Sequence, residues 1–317
     1  MKKVGKMKCL ALLLIVSMGL VGCNGSNGTS DNKKDKEQTT GTIEPTEKGS
    51  ETNKEMQKNQ WRILTTIEQP SDIYMTGFYD ENYGVAVGYA GMIRYTTDGG
   101  ANWTVGMNSS YCRFGLDLVS EQVGYTCGNA GHVTKTVNGG KTWEKVADFG
   151  DFEPDQCKVI SFISDDVGMI AAEKKMAITK DGGTTWTELT PPEEVVTIDF
   201  ISEDACYLIG KEDHLYFSKD EGKTWSSMDM SIENLDKHKT IMKSMAINMK
   251  DKDNGDLFCL DKAGKLYYYT TNDCGASWVA QDVPEVDEGS SLYFSKDGAI
   301  LTVSSSDGTN VTVITSR

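Results

Sequence analysis

Arginine is scarce in this chain: Arg62, Arg94, Arg113 and Arg317 are the only four in 317 residues, and the 32 Lys and Arg face 47 Asp and Glu for a formal net charge of −15. Gripping a phosphate backbone takes clustered cations, so a nucleic-acid binder is excluded. Proline is equally sparse, with 6 residues against 32 glycines, which points to many tight turns and away from a proline-rich scaffold. Long apolar runs are missing too. The run at residues 9–21 falls short of the roughly 20 residues that a spanning helix needs.

What is present begins with an address. Lys2, Lys3, Lys6 and Lys8 precede that short apolar run, the charged head and greasy core of a secretory leader. The run ends Leu20-Val21-Gly22-Cys23, which resembles the lipobox of bacterial lipoproteins. The resemblance implies a signal peptide over 1–22, a diacylglycerol on Cys23 and an extracytoplasmic protein held at a membrane, since each buried lipid CH₂ contributes about 0.8 kcal/mol. Residues 24–59 carry Gly, Ser, Thr, Asn, Lys and Glu with no aromatic, so they cannot form a core and read as a disordered linker. A flexible coil of this length reaches roughly 30 Å. The folded domain is expected over 60–317.

A repeat fixes its architecture. Thr96, Asp98, Gly100 and Trp103 set a frame that returns as Thr136, Asn138, Gly140 and Trp143, and then as Thr179, Asp181, Gly183 and Trp186. Ser218, Asp220, Gly222 and Trp225 form the fourth copy, and Thr271, Asp273, Gly275 and Trp278 the fifth. The tryptophans are spaced by 40, 43, 39 and 53 residues, a blade-like period. Within the frame the Asp side chain can accept backbone N–H groups across its own turn, glycine supplies a positive φ, and Trp opens the next strand and buries its ring. Short alternating strands lie upstream of each box, such as 73–78 with 84–88, or 159–163 with 168–172. Each repeat is therefore a four-stranded antiparallel unit, and radial stacking into a β-propeller covers faces that one unit leaves bare.

The folded length gives six blades, with seven left open, yet only five boxes exist. Three strands at 291–295, 299–304 and 310–315 supply most of a sixth, and Trp61-Arg62-Ile63-Leu64-Thr65 reads as its orphan fourth strand. An N-terminal strand closing the ring against the C-terminal ones would remove exposed edges.

The frame is similar to the BNR, or Asp-box, repeat, and the longer pattern through Phe78, Gly84, Gly88, Gly91, Thr96, Gly100 and Trp103 resembles the photosystem II assembly and stability factor family. The second repeat matches again through Gly124, Gly128, Gly131, Thr136, Gly140 and Trp143. The resemblance implies a non-enzymatic escort for membrane subunits. Photosynthetic members are typically seven-bladed with an arginine-rich patch, which four arginines cannot supply.

Asp-box propellers also include sialidases and other glycoside hydrolases, so a cell-surface glycan-binding or glycan-cleaving protein is the alternative. A sialidase clamps the substrate carboxylate with three arginine forks and attacks with Tyr; the arginine inventory argues against it, and Arg62-Ile63-Leu64 is only a faint echo of that family's motif. Hydrolysis by two carboxylates stays open. Blade packing uses up all six tryptophans, leaving Tyr74, Tyr111 and Tyr267 as candidate sugar platforms. The box carboxylates read as turn acceptors, and Asn138 supports this because Asn accepts a hydrogen bond but cannot act as a general acid. No catalytic residue, metal or cofactor is expected. His132 and His214 occupy equivalent places in non-adjacent repeats and His238 lies in an insertion, an arrangement unsuited to a shared zinc. With Cys9 in the leader and Cys23 lipidated, Cys112, Cys127, Cys157, Cys206, Cys259 and Cys274 allow 15 pairings or none.

In a propeller the links from one blade's last strand to the next blade's first all emerge on one face. Here they are repeatedly acidic: Glu68 and Asp72; Asp148, Asp151, Glu153 and Asp155; Glu193 and Glu194; Asp229, Glu233 and Asp236; Asp282, Glu285, Asp287 and Glu288. Only residues 107–111 break the pattern. The expectation is a negatively charged docking face for a cationic protein segment.

Overall fold

In the computed structural model, the described residues are 61–150, 156–212, 214–232 and 242–317. The leader, Cys23, the linker and His238 lie outside them.

Six sheets, antiparallel but for one short edge pairing, form the domain. The strands are β1 (Arg62–Glu68); β2 (Ile73–Phe78), β3 (Gly84–Gly88), β4 (Ile93–Thr96) and β5 (Thr104–Met107) of the first blade; and β6 (Arg113–Leu118), β7 (Gly124–Gly128), β8 (His132–Thr136) and β9 (Glu144–Asp148) of the second. The third holds β10 (Val159–Phe162), β11 (Gly168–Ala171), β12 (Met176–Thr179) and β13 (Thr187–Leu189), and the fourth β14 (Val195–Phe200), β15 (Cys206–Gly210), β16 (His214–Ser218) and β17 (Ser226–Asp229). After β18 (Ser231–Ile232) come β19 (Met242–Met249), β20 (Gly255–Asp261), β21 (Leu266–Thr271) and β22 (Ser277–Gln281) of the fifth. The last blade holds β23 (Gly289–Phe294), β24 (Ile300–Ser305) and β25 (Asn310–Thr315), with β1 on its outer edge in the order β1-β25-β24-β23. The domain is a six-bladed β-propeller closed by its N-terminal strand.

Closure is well supported. β1 runs antiparallel to β25 from Arg62↔Thr315 to Glu68↔Asn310, and Trp61, 5% exposed, meets Phe258 edge-on at 5.0 Å and Phe294 at 5.9 Å. One departure from a uniform four-stranded repeat is β18, which pairs in parallel with β22 and makes the fifth sheet five-stranded. It falls in the long interval before Trp278. In the first four blades the outer strand starts one residue after the box Trp, a difference within ordinary boundary uncertainty.

Apolar burial explains the stacking. The core is six clusters, each centred on a seam between adjacent blades: Val85, Ile93, Leu116 and Leu118 join the first and second, with Tyr293 of the last blade reaching in, and Phe78, Ile300, Val311 and Val313 join the last to the first. The boxes stitch these seams from outside. Gly100 has φ +88° and a Cβ there would fall 2.0 Å from Ile67 Cδ1 of the preceding blade; Gly275, φ +84°, would meet Leu215 in the same way. Glycine is thus required twice over, by the turn and by the neighbouring blade.

The box hydrogen bonds repeat almost unchanged. In the first, the Thr96 hydroxyl donates to Asp98 Oδ1 at 2.8 Å and accepts from Gly100 N–H at 2.9 Å, while Asp98 Oδ1 also accepts from Asn102 N–H. Thr179 with Asp181, Ser218 with Asp220 and Thr271 with Asp273 do the same. Asn138 keeps both acceptor roles and adds a bond from its Nδ2 to Thr142. The buried acceptor at the centre is the leading Ser/Thr hydroxyl, a part the sequence pattern did not assign. Ring burial is less complete than expected, since Trp143 and Trp278 are buried but Trp103, Trp186 and Trp225 only half-buried.

Candidate functional site: the central channel and the connection face

The inter-blade links share their face with the turns between second and third strands, and the two sets are hydrogen-bonded together. Ser109 donates to Ala90, Cys157 to Gly128, Val195 to Glu173, Lys211 to Glu194 and Gly289 to Gly264. This connection face surrounds one end of the central channel. Inner strands β2, β6, β14, β19 and β23 each slip by one residue near their start, at Ile73/Met75, Arg113/Gly115, Val195/Thr197, Met242/Ser244 and Gly289/Ser291. Such bulges re-aim side chains beside sites. Three of the bulged residues, Tyr74, Phe114 and Val196, line a cavity of about 620 Å³ that runs down the channel.

The mouth is aromatic on one side. Tyr74 stacks on Phe114 with centroids 5.3 Å apart, and Tyr89, at 56% exposed, and Tyr111, which stacks on His132 at 3.7 Å, extend the patch over the first two blades. It covers the stretch where the acidic links are interrupted.

The other side is ionic but closer to balanced than the links alone suggest. Glu194 pairs with Lys211, whose ammonium draws its carboxyl below the usual range. Burial pushes Glu193 up, but hydrogen bonds from His214, the Glu212 N–H and the Tyr216 hydroxyl outweigh it and leave it low. Asp148 is lowered by Lys145 at 3.0 Å, with His132 at 3.7 Å. Asp282 and Glu285 are exposed. Asp151, Glu153 and Asp155 lie outside the described residues. Lys211 sits in a second-to-third-strand turn, and the reading of the links alone left these turns out.

The floor of the channel is the part that sequence reasoning missed. One residue before the end of β6, β14 and β23 stand Asp117, Asp199 and Tyr293. Asp117 Oδ2 accepts from Phe162 N–H at 2.5 Å and faces Lys296 Nζ at 3.0 Å. Asp199 Oδ2 accepts from Met249 N–H at 2.7 Å. Tyr293 accepts from Leu118 N–H at 3.1 Å, with its ring 2.7 Å from the Cβ that Gly77 lacks. Each of these side chains binds the inner strand of a blade further round the ring. Burial raises Asp117 despite Lys296 and the Phe162 N–H. Asp199 is pushed up to about 7, chiefly by burial and further by Asp117, against opposing help from Met249 and Lys296. Asp199 is deep among protein atoms yet keeps surface on the channel, and a second cavity of about 350 Å³ also ends on Asp199 and Lys296. A polar residue in an otherwise apolar inner strand, at the same register in several repeats, is the signal that could have found this floor.

The six described cysteines are free thiols. Cys127 and Cys157 lie side by side across the second and third blades, with the Cys127 thiol donating to the Cys157 carbonyl at 3.3 Å.

Residues 153–315 match the family described as photosynthesis system II assembly factor YCF48. The chain belongs to that family. No curated protein matches it. A solved structure of YCF48 bound to D1 peptide aligns with TM-score 0.52 at 14% identity over 82% of this chain and 98% of that one. U3-55K aligns with TM-score 0.59 at 11% identity over 81% and 98%. An ancestral GH74 enzyme aligns with TM-score 0.50 at 11% identity over 76% of this chain and 36% of that one. At such identities these likenesses establish the propeller fold, whereas membership of the YCF48 family rests on the sequence match.

Proposed function

We propose that the protein is a non-enzymatic docking module, of the assembly-factor kind its YCF48 family membership suggests, that receives an extended segment of a membrane-protein partner on the connection face. The observation that carries this reading is the channel, which opens on that face through an aromatic rim backed by acidic links. Aromatic side chains supply contact area at low entropic cost, and carboxylates steer a cationic partner. The solved YCF48 with D1 peptide lends the reading support as a relative of like fold that holds a peptide. The lysine-headed leader and Leu20-Val21-Gly22-Cys23 support an extracytoplasmic protein anchored through lipid on Cys23. Cys23→Ala then shifts the protein from the membrane to the soluble fraction.

The test is affinity capture from detergent-solubilised membranes with the full chain and with Tyr74→Ser/Tyr89→Ser, at low and high salt. The reading expects a discrete membrane protein held at low salt, released at high salt and lost from the double variant. Retention indifferent to both salt and the tyrosines would defeat it. A glycan-active protein is the second reading, favoured by Asp117 and Asp199 lining one channel. Hydrolysis of an oligosaccharide panel that Asp199→Asn abolishes would establish it instead.

A further inference from the structure

The connection face brings a partner to the channel, and the channel has its own chemistry. At its floor stand Asp117, Asp199 and Lys296, and the second cavity beyond adds Lys250 and Asp297. Lys296 lies 3.0 Å from Asp117, and Asp199 has no ion-pair partner among the described residues, although it faces both cavities. About three residues of strand separate Val196 at the mouth from Asp199, roughly 10 Å. Between them Leu116, Ile160, Met245 and Ile247 supply apolar wall, interspersed with the hydroxyls of Ser161, Thr197 and Ser244.

We propose that the central channel is a binding site for an extended primary ammonium group, whose methylene stem lies against the apolar walls and whose charge pairs with Asp199. The proposal deepens the docking reading and rests on it for one source of that ammonium, a lysine side chain of the partner; the other source is a free diamine.

Three observations select this chemistry. Apolar walls ending in a carboxylate match an amphipathic stem with a charged tip. A guanidinium fork wants two parallel free oxygens, but Asp199 Oδ2 already accepts from the Met249 N–H, which leaves room for a point charge. A divalent cation wants several oxygen ligands, and no group of three metal-ligating side chains occurs among the described residues. The raised Asp199 fits as well, since a carboxylate enclosed without its own cation holds its proton to higher pH. Lys158, Glu173, Glu194 and Lys211 at the rim offer no net charge that would repel an incoming ammonium.

The test is calorimetric titration of the full chain at pH 8 with 1-aminohexane and, as an uncharged isostere, 1-hexanol. The amine is expected to bind at least tenfold more tightly than the alcohol. Asp199→Asn, which preserves the acceptor for Met249, is expected to erase that preference while leaving the alcohol unchanged. Val196→Trp, which narrows the mouth and leaves the carboxylate in place, weakens both. At pH 7, amine binding also releases protons, read from the dependence of its heat on buffer ionisation. Equal affinity for amine and alcohol, no amine binding, or an amine preference that survives in folded Asp199→Asn would overturn the proposal. Nα-acetyl-lysine methylamide and 1,5-diaminopentane separate the sources: tighter binding of the first supports a partner lysine, tighter binding of the second a free diamine. These titrations contain no partner, so their failure removes the ammonium site while membrane capture still reads the docking face by itself.

Discussion

Aspartate appears on the outer turns of this ring and in its central channel, in opposite circumstances. On the box face Asp98, Asp181 and Asp220 sit in solvent, each accepting from a backbone N–H and two side-chain groups, and those hydrogen bonds hold their carboxyls below the ordinary value. In the channel Asp117 and Asp199 accept from backbone N–H groups too, but burial dominates and both are raised. The backbone bond is common to the two settings, so solvation decides which carboxylates hold the fold and which are left wanting a cation. The box set repeats because each blade needs a turn; the channel set occurs once per ring.

The largest test of that contrast is Lys296→Met. It strips the cation that pairs with Asp117 and also acts on Asp199, and breaking a buried pair by removing one partner costs about 3–5 kcal/mol. For a domain of this size that is a fall of roughly 10 °C in Tm, measured by thermal melting at pH 8, and Asp117→Asn in the same chain should recover most of it. A Lys296→Met melt within two degrees of the parent would mean the channel solvates its own charges, and the two sets of carboxylates would cease to differ.

A middle-sized effect belongs to the box face. Thr179 is 1% exposed and its hydroxyl takes the Gly183 N–H at 2.9 Å. Thr179→Val keeps the shape and orphans that donor, at about 1–3 kcal/mol, with partner capture unchanged. Loss of capture in a variant that still melts cooperatively would transfer function to the wrong face.

How much of this was legible follows from where the partners lie. Each box is local: every hydrogen bond that builds it joins residues two to four apart, so its geometry is written in one short frame. Ring closure was legible too, because Trp61 and strand β1 had no other sheet to join. The channel floor was not. Tyr293 meets Leu118 across 175 residues, and Lys296 reaches Asp117 only once the last blade has come round to the second. The acidic face was half legible. Among the described residues Glu193, Glu194, Asp282 and Glu285 stand in the links, but the lysine that pairs Glu194 comes from a different turn, and only the stacked blade puts Lys211 beside it.

The smallest effect is the most diagnostic, because the two sets of carboxylates give stability opposite slopes with pH. A lowered box carboxylate contributes stability that is present above its unfolded value near 4 and is lost as pH falls through the still lower folded value. Asp199 runs the other way: ionising it costs more in the folded state, so its penalty grows as pH climbs from about 4 and is complete once pH passes the folded value of about 7. Asp199→Asn has no such proton to lose. Relative to the parent, it should gain stability between pH 5 and pH 8 by roughly 1–2 kcal/mol, channel water screening part of the full penalty, while its acid-side loss below pH 4 follows the parent. Denaturant melts at half-unit pH steps would show the curves separating through this window and running parallel above it. Curves parallel throughout would place Asp199 in ordinary solvent, and the channel would lose the unmet charge that distinguishes it from the boxes.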